Sequence, residues 1–332
     1  MYSNTQNSIK RRNSSIELLR FFFMFCIVLI HIYGFGVESY PDQIFELGRS
    51  LNTCHHLSLN CIGQIGVTGF MFISGYYGIK TNKYKIIDLI IMTTFYAVII
   101  ELLFNSHIRL ENIRKLLHAF DLIWFISYYI VICLIAPIIE TGIKQISPKT
   151  FRNIVIGILS YIYGAHLIGF SNDHDFVFLF TVYITARYIR MYKPSFLYKH
   201  TSKIACTSII LIGGIPVLFS MAGTSHYPIM NIISTNNNIL LLALAASLVI
   251  ILDNKYFYIP AINNMASSVL AICLITSNEH ICHPLSIYLY PTLLKTYGFG
   301  IVIVICLLCI FVDKIRVILF DSIYKTLHFM KK

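Results

Sequence analysis

The sequence predicts an all-α, polytopic integral membrane protein with about ten transmembrane helices, and three observations support that prediction. Apolar residues make up 57% of the 332-residue chain and charged residues only 12%, with a mean hydropathy of +0.71. Soluble domains carry about 25% charged residues. The apolar residues form successive runs of about 20 residues, the length with which an α-helix crosses a bilayer. The basic residues lie between these runs, where they would flank membrane spans.

The first predicted span, residues 16–36, is an apolar run that contains Arg20 and His31. On an α-helix the two residues differ by about 20° in rotation, so both lie on one stripe, about 16 Å apart. An ionisable group inside a membrane costs about 2.5–3.5 kcal/mol and normally faces a cavity or a partner. Taken singly, Arg20 is compatible with snorkelling to the headgroups and His31 with a hydrogen bond to a neighbouring helix. Their shared stripe favours a functional pair.

The start of this first helix is predicted from Ser14 and Glu17, which have the S-x-x-E spacing of a capping box. This interpretation gives Glu17 a structural role rather than a catalytic one. The apolar run is longer than a signal-peptide core and has no small-x-small cleavage site, so we expect it to be retained.

Three further spans follow, at residues 61–79, 86–104 and 122–139. The first of these contains five glycines, and small residues let helices approach closely in lipid. Residues 105–120 have apolar side chains at helical spacing, which predicts an interfacial amphipathic helix. Trp124 opens the fourth span as an aromatic anchor, and Pro137 predicts a kink or an end near its close.

Six more spans complete the prediction, at residues 153–170, 176–189, 204–221, 239–252, 267–290 and 297–312. An acidic turn at residues 171–175 joins the first two. The polar sequence SNEHICHP, residues 277–284, predicts a break within the ninth span. We expect a single transmembrane domain over residues 1–332, with tails at 1–13 and 313–332.

The distribution of basic residues predicts the orientation in the membrane. Most of the 26 lysines and arginines fall on one side of the ten-span arrangement. Because basic loops stay in the cytoplasm, both termini are expected there, in a plasma (inner) membrane protein. The net charge of +11 is dispersed between apolar runs, so the predicted partner of this charge is the lipid bilayer and not a nucleic acid.

Several other classes of chemistry are disfavoured by the sequence. Cys306 and Cys309 have C-x-x-C spacing, but they lie in an apolar run, which favours packing over redox or zinc chemistry. The two short His/Cys clusters, at residues 54–56 and 280–283, lack the paired spacing of a structural zinc site, so no metal is predicted. The chain also lacks a Walker loop, a dinucleotide-binding glycine pattern and a G-x-S-x-G elbow.

Several stretches together resemble the membrane-bound acyltransferase family 3. The first span is similar to the opening helix of that family, which carries a basic residue and a histidine ten residues apart; here they are Arg20 and His31. The second span is similar to the family's G-V...F-x-x-S-G-[FY] run, with Ser74 as its serine. Lys80 and Lys83 follow where arginines are commoner.

Two later stretches extend this resemblance over essentially the whole chain. WFISYYIVICLIAP, residues 124–137, is similar to the family's W-[FY] helix with its closing proline. SSVLAICLIT, residues 267–276, is similar to the late S-x-x-x-x-x-Y-L-I-[HT] stretch, with Cys273 in place of tyrosine. The order and spacing of these motifs, more than any single one, carry the resemblance.

The resemblance implies transfer of an acyl group, usually from acetyl-CoA, to a hydroxyl of a cell-surface saccharide. Arg20, Lys80 and Lys83 would then bind coenzyme A phosphates at the cytoplasmic mouth, with Ser74 orienting the donor. His31 would accept the hydroxyl proton as a general base, with Arg20 beside it in the catalytic pair. Alternatively, His31 would take the acyl group itself and carry it across the membrane. The sequence leaves both roles open.

The acceptor side is less sharply predicted. Its candidates are Trp124, Asp173, Asp175, Glu279 and His280, and polysaccharide-assembly proteins are possible partners. A different class of protein, a polysaccharide or lipid-linked sugar translocator, would also suit many spans with a histidine at depth. Many transporters contain repeated halves. No second half here repeats the Arg20/His31 helix, which favours the enzyme.

Overall fold

The structure is a computed structural model, and it describes residues 12–39, 58–80, 83–104, 124–168, 176–221, 235–289 and 295–329. Within these ranges the chain is all-helical, as predicted. The helices are α1 (Ser14–Ser39), α2 (Ile65–Tyr77), α3 (Lys83–Phe104), α4 (Trp124–Gln145), α5 (Pro148–Leu167), α6 (Phe176–Tyr192), α7 (Ser195–Lys199), α8 (Thr201–Met221), α9 (Ile239–Asp253), α10 (Pro260–Ala266), α11 (Val269–Thr276), α12 (Glu279–Leu289) and α13 (Lys295–Phe329).

Each predicted span coincides with helix, and the chain is a membrane protein. Among the described residues, four helices are long and apolar enough to cross a bilayer; they comprise Ser14–Ile32, Tyr84–Phe104, Trp124–Gln145 and Thr201–Leu218. A fifth span results if the bent pair formed by residues 260–276 and 279–289 counts as one. The predicted number of ten spans is therefore not confirmed. The interfacial helix predicted at 105–120 and the turn at 171–175 lie outside the described residues.

Helix α1 lies at the centre of the bundle. The side chains of Phe23, Met24, Val28 and Ile32 on this helix are all but completely buried. Around it pack α2, α9, α10, α11, α12 and α13. A helix enclosed by other helices gains dispersion energy, because protein side chains pack around it more densely than lipid chains do. The helix that carries Arg20 and His31 is thus the one around which the others assemble.

Glycines on α2 allow two neighbours to approach its backbone. A Cβ atom on Gly75 would lie 2.5 Å from the carbonyl oxygen of Tyr183 on α6. A Cβ atom on Gly66 would lie 2.7 Å from the carbonyl oxygen of Phe23 on α1. Real side chains do not tolerate such distances, so only glycine fits at both positions. The close approach predicted for this glycine-rich span is confirmed.

The predicted capping box of Ser14 and Glu17 is wrong, because Ser14 bonds to a distant segment and Glu17 pairs with Arg20 on its own helix. Asn13 caps α1 instead, and its Oδ1 accepts a hydrogen bond from the Ser15 backbone N–H at 3.1 Å. The Ser14 hydroxyl donates to Asn263 Oδ1 at 3.0 Å and accepts from the Ile259 N–H at 2.8 Å. These bonds attach the start of α1 to Ile259, just before α10, and to Asn263 within α10.

The predicted break in the ninth span is confirmed. Helix α11 ends at Thr276, α12 begins at Glu279, and the chain turns by 82° between them. Pro137, by contrast, lies inside α4, which continues to Gln145, so it does not end that helix.

Candidate functional site

Arg20 and His31 project from the same side of α1, the side that faces the other helices. Of the residues between them, Phe23, Ile27 and Val28 are buried. The helix is continuous from Ser14 to Ser39, so the two side chains are separated by about 16 Å along its axis. The predicted stripe is therefore present, with a fixed cation near the start of the helix and an imidazole further along it.

Arg20 is paired with a carboxylate on its own helix. Its Nη1 donates to both oxygens of Glu17, at 2.9 and 3.1 Å. The Arg20 side chain is 33% exposed and the Glu17 side chain 6%. A guanidinium has five N–H donors in a planar fork, and this pair engages only one of its nitrogens. Arg20 thus combines partial exposure with donors that remain able to bind an anion.

Ser74 and Arg20 are brought together through Tyr129 of α4, a residue that sequence reasoning missed. The Ser74 hydroxyl donates to the Phe70 carbonyl at 3.2 Å, as a small hydroxyl in a helix commonly does. Ser74 and Arg20 both act electrostatically on the Tyr129 hydroxyl, so the three side chains are near one another. Tyr129 lies in the apolar WFISYYIVICLIAP stretch, where its hydroxyl group was the one feature that could have marked it as a site residue.

Lys80 and Lys83 follow the end of α2. Lys80 is exposed, and Lys83 lies in the first turn of α3, where its side chain is outside the described residues. Between α2 and Lys80, Gly78 has φ +74°, and a Cβ there would lie 3.1 Å from Nη1 of Arg187. The turn that leads to Lys80 is therefore packed on an arginine of α6.

Arg187 is held by a carboxylate from another helix. Its Nη2 donates to Glu140 Oε2 at 2.7 Å, and its Nε lies 2.6 Å from Oε1 of the same carboxylate. The Tyr183 hydroxyl donates to Glu140 Oε1 at 3.0 Å. This ion pair joins α4 to α6 and accounts for both charges within the protein.

A second set of polar contacts joins α2, α6 and α9. Arg190 Nη1 and the Tyr76 hydroxyl both donate to Asp253 Oδ2, at 2.6 and 3.0 Å, and the Tyr77 hydroxyl donates to Oδ1 at 2.6 Å. Burial alone would raise the pKa of Asp253, but the hydrogen bonds from Tyr77 and Tyr76 and the Arg190 charge hold that pKa below its usual range. We call Arg20, Arg187 and Arg190 with their partners the arginine end.

His31 lies against the break in the ninth predicted span. Its Nδ1 is 3.4 Å from the Thr276 hydroxyl oxygen at the end of α11. The Thr276 hydroxyl is also 2.8 Å from the Ile272 carbonyl oxygen, and Thr276 is only 1% exposed. Thr276 ends the SSVLAICLIT stretch, but no local pattern pairs it with a histidine 245 residues away.

Beyond the break lie two of the predicted acceptor-side residues. His280 Nε2 is 3.3 Å from Glu101 Oε2, and its ring stacks on Phe104 with centroids 5.6 Å apart. Glu279 is exposed. Sequence reasoning missed Glu101, although a lone carboxylate at the end of an apolar run was available as a signal. We call His31 and His280 with their partners the histidine end.

Of the remaining acceptor-side candidates, Asp173 and Asp175 cannot be placed and Trp124 packs among aromatic rings. Asp173 and Asp175 lie outside the described residues. Trp124 packs against Phe125 and Tyr128, with ring centroids 6.1 and 6.4 Å away. Phe125 in turn contacts Phe70 of α2. Trp124 therefore packs into the helix bundle beside α2.

No metal centre is found in the part of the chain that the structure describes. There, no three His, Cys, Asp or Glu side chains are placed to hold an ion. The groups available for chemistry are instead the Arg20 guanidinium, the hydroxyls of Ser74 and Tyr129, and the His31 imidazole. Together they suit binding of an anionic, extended molecule along α1 with a proton acceptor at its far end.

Comparison with known proteins gives one match. The family model Acyl_transf_3, described as an acyltransferase domain, matches residues 13–312. That range begins one residue before α1 and ends within α13. No curated protein and no solved structure matches the chain.

Proposed function

The chain belongs to acyltransferase family 3, and on that premise we propose that it is an O-acyltransferase acting on a cell-surface saccharide. The donor is an acyl-CoA, most simply acetyl-CoA, and the acceptor is a hydroxyl of a surface, capsular or exopolysaccharide sugar. One observation carries the proposal: the central helix presents a partly exposed cation and an imidazole on the same side, about 16 Å apart.

Coenzyme A binds at the arginine end, where its phosphates meet Arg20, Lys80 and Lys83. Charge-assisted hydrogen bonds from a guanidinium fork suit a phosphate, and the intrahelical pair with Glu17 leaves most of that fork unused. Ser74 and Tyr129 orient the donor beside Arg20. The pantetheine arm extends from there along α1 and brings the thioester to His31.

His31 acts as the general base. The acceptor hydroxyl oxygen attacks the thioester carbonyl carbon while His31 takes the hydroxyl proton. The C–S bond then breaks, and the proton passes from His31 to the departing coenzyme A thiolate. The products are the sugar ester and free coenzyme A. No oxidant or reductant is needed, and no acyl group resides on the protein.

The acceptor approaches from the histidine end. His280 and Glu101 form a polar pair there, and exposed Glu279 lies beside them. Carboxylate and imidazole groups next to an aromatic ring can hydrogen-bond and stack against a sugar. We assign acceptor contacts to these residues, with Trp124, Asp173 and Asp175 as further candidates and polysaccharide-assembly proteins as partners.

The enzyme is placed in the plasma (inner) membrane with ten spans and both termini in the cytoplasm. The start of α1 lies beside the end of α9, since the Asn13 side chain donates to the Lys255 carbonyl at 3.2 Å. The ends of α2 and α6 meet α9 through Asp253. Basic residues gathered at this one end support its assignment to the cytoplasm.

Proton NMR of purified surface glycan tests the proposal. Glycan is compared from a strain lacking this chain and from the same strain complemented with wild type or with His31→Ala at matched membrane levels. We expect ester signals to be absent in the deletion, to return with wild type and to stay absent with His31→Ala.

Two outcomes would contradict the proposal. Ester signals that persist in the deletion, while glycan amount or chain length collapses, would identify a translocator. A radioactive acyl group that stays on the purified protein, and is lost in His31→Ala, would make His31 a nucleophile instead of a base.

A further inference from the structure

The hydrogen bonds of Thr276 determine which ring nitrogen of His31 carries the proton. A threonine hydroxyl has one proton to donate and two lone pairs to accept with. The Thr276 oxygen is 2.8 Å from the Ile272 carbonyl and 3.4 Å from His31 Nδ1. A carbonyl can only accept, so the shorter bond takes the threonine proton. What Thr276 offers to His31 is therefore a lone pair.

In a neutral imidazole one ring nitrogen carries the proton and the other a lone pair, and the two tautomers differ in which nitrogen is which. Because the Thr276 oxygen can only accept here, Nδ1 forms a hydrogen bond to it only when Nδ1 carries the proton. The opposite tautomer would place two lone pairs against each other at a threonine that is 1% exposed, where water cannot intervene. The contact therefore selects the tautomer with its lone pair on Nε2.

We propose that Thr276 is a positioning residue that holds His31 with its proton on Nδ1, so that Nε2 is the basic nitrogen presented to substrate. The tautomer follows from the contacts alone, and its catalytic consequence rests on the proposed function. When Nε2 takes the proton of the acceptor hydroxyl, the imidazolium keeps its Nδ1–H bond to Thr276. Proton uptake then requires no rotation of the ring.

The hydrogen bond from Thr276 to the Ile272 carbonyl has a close parallel at the next residue. Ser277, the next residue, uses its hydroxyl in the same way and donates to the Cys273 carbonyl at 2.6 Å. Both carbonyls lie in the last turn of α11, just before the chain bends by 82°. Two neighbouring hydroxyls thus make the same type of backbone bond, while Thr276 also contacts His31. Ser277 is the matched control.

The tautomer can be measured without any enzymatic assay. The full chain is labelled with 15N-histidine, reconstituted in nanodiscs, and examined by long-range proton–nitrogen correlation, with His31→Gln identifying the His31 signals. We expect a protonated Nδ1 and an unprotonated Nε2 in wild type and in Ser277→Ala. In Thr276→Val, which keeps the shape and loses the lone pair, we expect a mixture of tautomers. A wild-type His31 protonated on Nε2, or a Thr276→Val spectrum identical to wild type, overturns the proposal.

Activity measurements separate this proposal from the proposed function. Thr276→Val should lower kcat by about tenfold, a part of the 10²–10⁴-fold that a general base contributes, and should shift the pH profile of kcat. Thr276→Ser restores the hydroxyl and should restore both, and Ser277→Ala should change neither. An Nδ1-protonated His31 in a wild-type protein that transfers no acyl group refutes the proposed function and leaves the tautomer assignment standing. Normal kcat and pH profile in a folded Thr276→Val protein refute the positioning role.

Discussion

Charged side chains are partnered differently at the two ends of the helix bundle. At the arginine end, Arg187 and Arg190 lie within 2.6–2.7 Å of carboxylate oxygens that belong to other helices. At the histidine end, His31 faces a neutral hydroxyl at 3.4 Å, and His280 faces a carboxylate at 3.3 Å. The ion pairs hold Arg187 and Arg190 in place. The Thr276 hydroxyl, by contrast, leaves one lone pair of the His31 ring unbonded.

Arg20 differs from the other two arginines at its own end. Its carboxylate partner, Glu17, is three residues away on the same helix, so the pair joins no helices. Ion pairs between helices hold the bundle together, whereas the Arg20–Glu17 pair links only neighbouring turns of α1. Under the proposed function, Arg187 and Arg190 have structural roles and Arg20 binds the donor. The same proposal places donor binding at the arginine end and proton transfer at the histidine end.

Removing the imidazole should have the largest effect. We expect His31→Ala to lower kcat by about 10²–10⁴-fold, the usual contribution of a general base, with the KM for acyl-CoA nearly unchanged. The measurement is steady-state transfer in proteoliposomes. His200→Ala, at the end of α7, is the matched control and should behave as wild type. If the KM for acyl-CoA rose enough to account for the whole fall in kcat/KM, His31 would contribute to donor binding and not to proton transfer.

Neutralising Arg20 should have the next largest effect. We expect Arg20→Gln to raise the KM for acyl-CoA about 10- to 100-fold, because a hydrogen bond to a charged group contributes about 1.5–3 kcal/mol. Arg152→Gln removes an exposed arginine on α5 and serves as the control. An Arg20→Gln protein that unfolds more easily but binds donor normally would place Arg20 with the structural arginines.

Adding a side chain at Gly75, where α2 packs on α6, should reduce stability without changing any residue proposed to bind substrate or transfer a proton. A Cβ there would lie 2.5 Å from the Tyr183 carbonyl oxygen, so we expect Gly75→Ala to lower the free energy of unfolding by about 1–3 kcal/mol. Unfolding in detergent measures this. Gly142→Ala, whose Cβ would meet nothing within 4 Å, should be neutral or slightly stabilising. Equal losses for the two variants would argue against close packing of α2 on α6.

The smallest expected effect sharpens the assignment of the histidine end to the acceptor. Glu101→Gln removes the charge opposite His280, which is 42% exposed. Exposed pairs contribute about 0.2–1 kcal/mol, so we expect the KM for the saccharide to rise up to about fivefold, with the KM for acyl-CoA unchanged. The check is a saccharide titration at saturating donor. An effect on the donor KM alone would move Glu101 out of the acceptor site.

The all-helical fold and the main pair of the site could be predicted from the sequence because they depend on local pattern. The 11-residue spacing of Arg20 and His31 determines a shared stripe on any straight helix. The polar SNEHICHP sequence likewise predicted the break that the structure places after Thr276. Each of these signals lies within one stretch of chain.

The partners of these residues could not be predicted, because they come from distant stretches. Thr276 meets His31 across 245 residues, and Tyr129 reaches Ser74 from another helix. The Ser14 part of the predicted capping box was wrong for the same reason, whereas Glu17 pairs locally with Arg20. Local spacing favoured a capping box, but Asn263 and Arg20 offered those side chains other partners. Spacing identifies which residues share a face, and tertiary packing decides what they touch.

Equilibrium binding of coenzyme A tests the division of roles between the two ends most directly. Titration calorimetry would compare wild type with Arg20→Gln and His31→Ala, each purified in detergent. We predict that Arg20→Gln binds about 10- to 100-fold more weakly, since it loses a charge-assisted contact, and that His31→Ala binds as wild type. Weakened binding in His31→Ala with normal binding in Arg20→Gln would contradict the account.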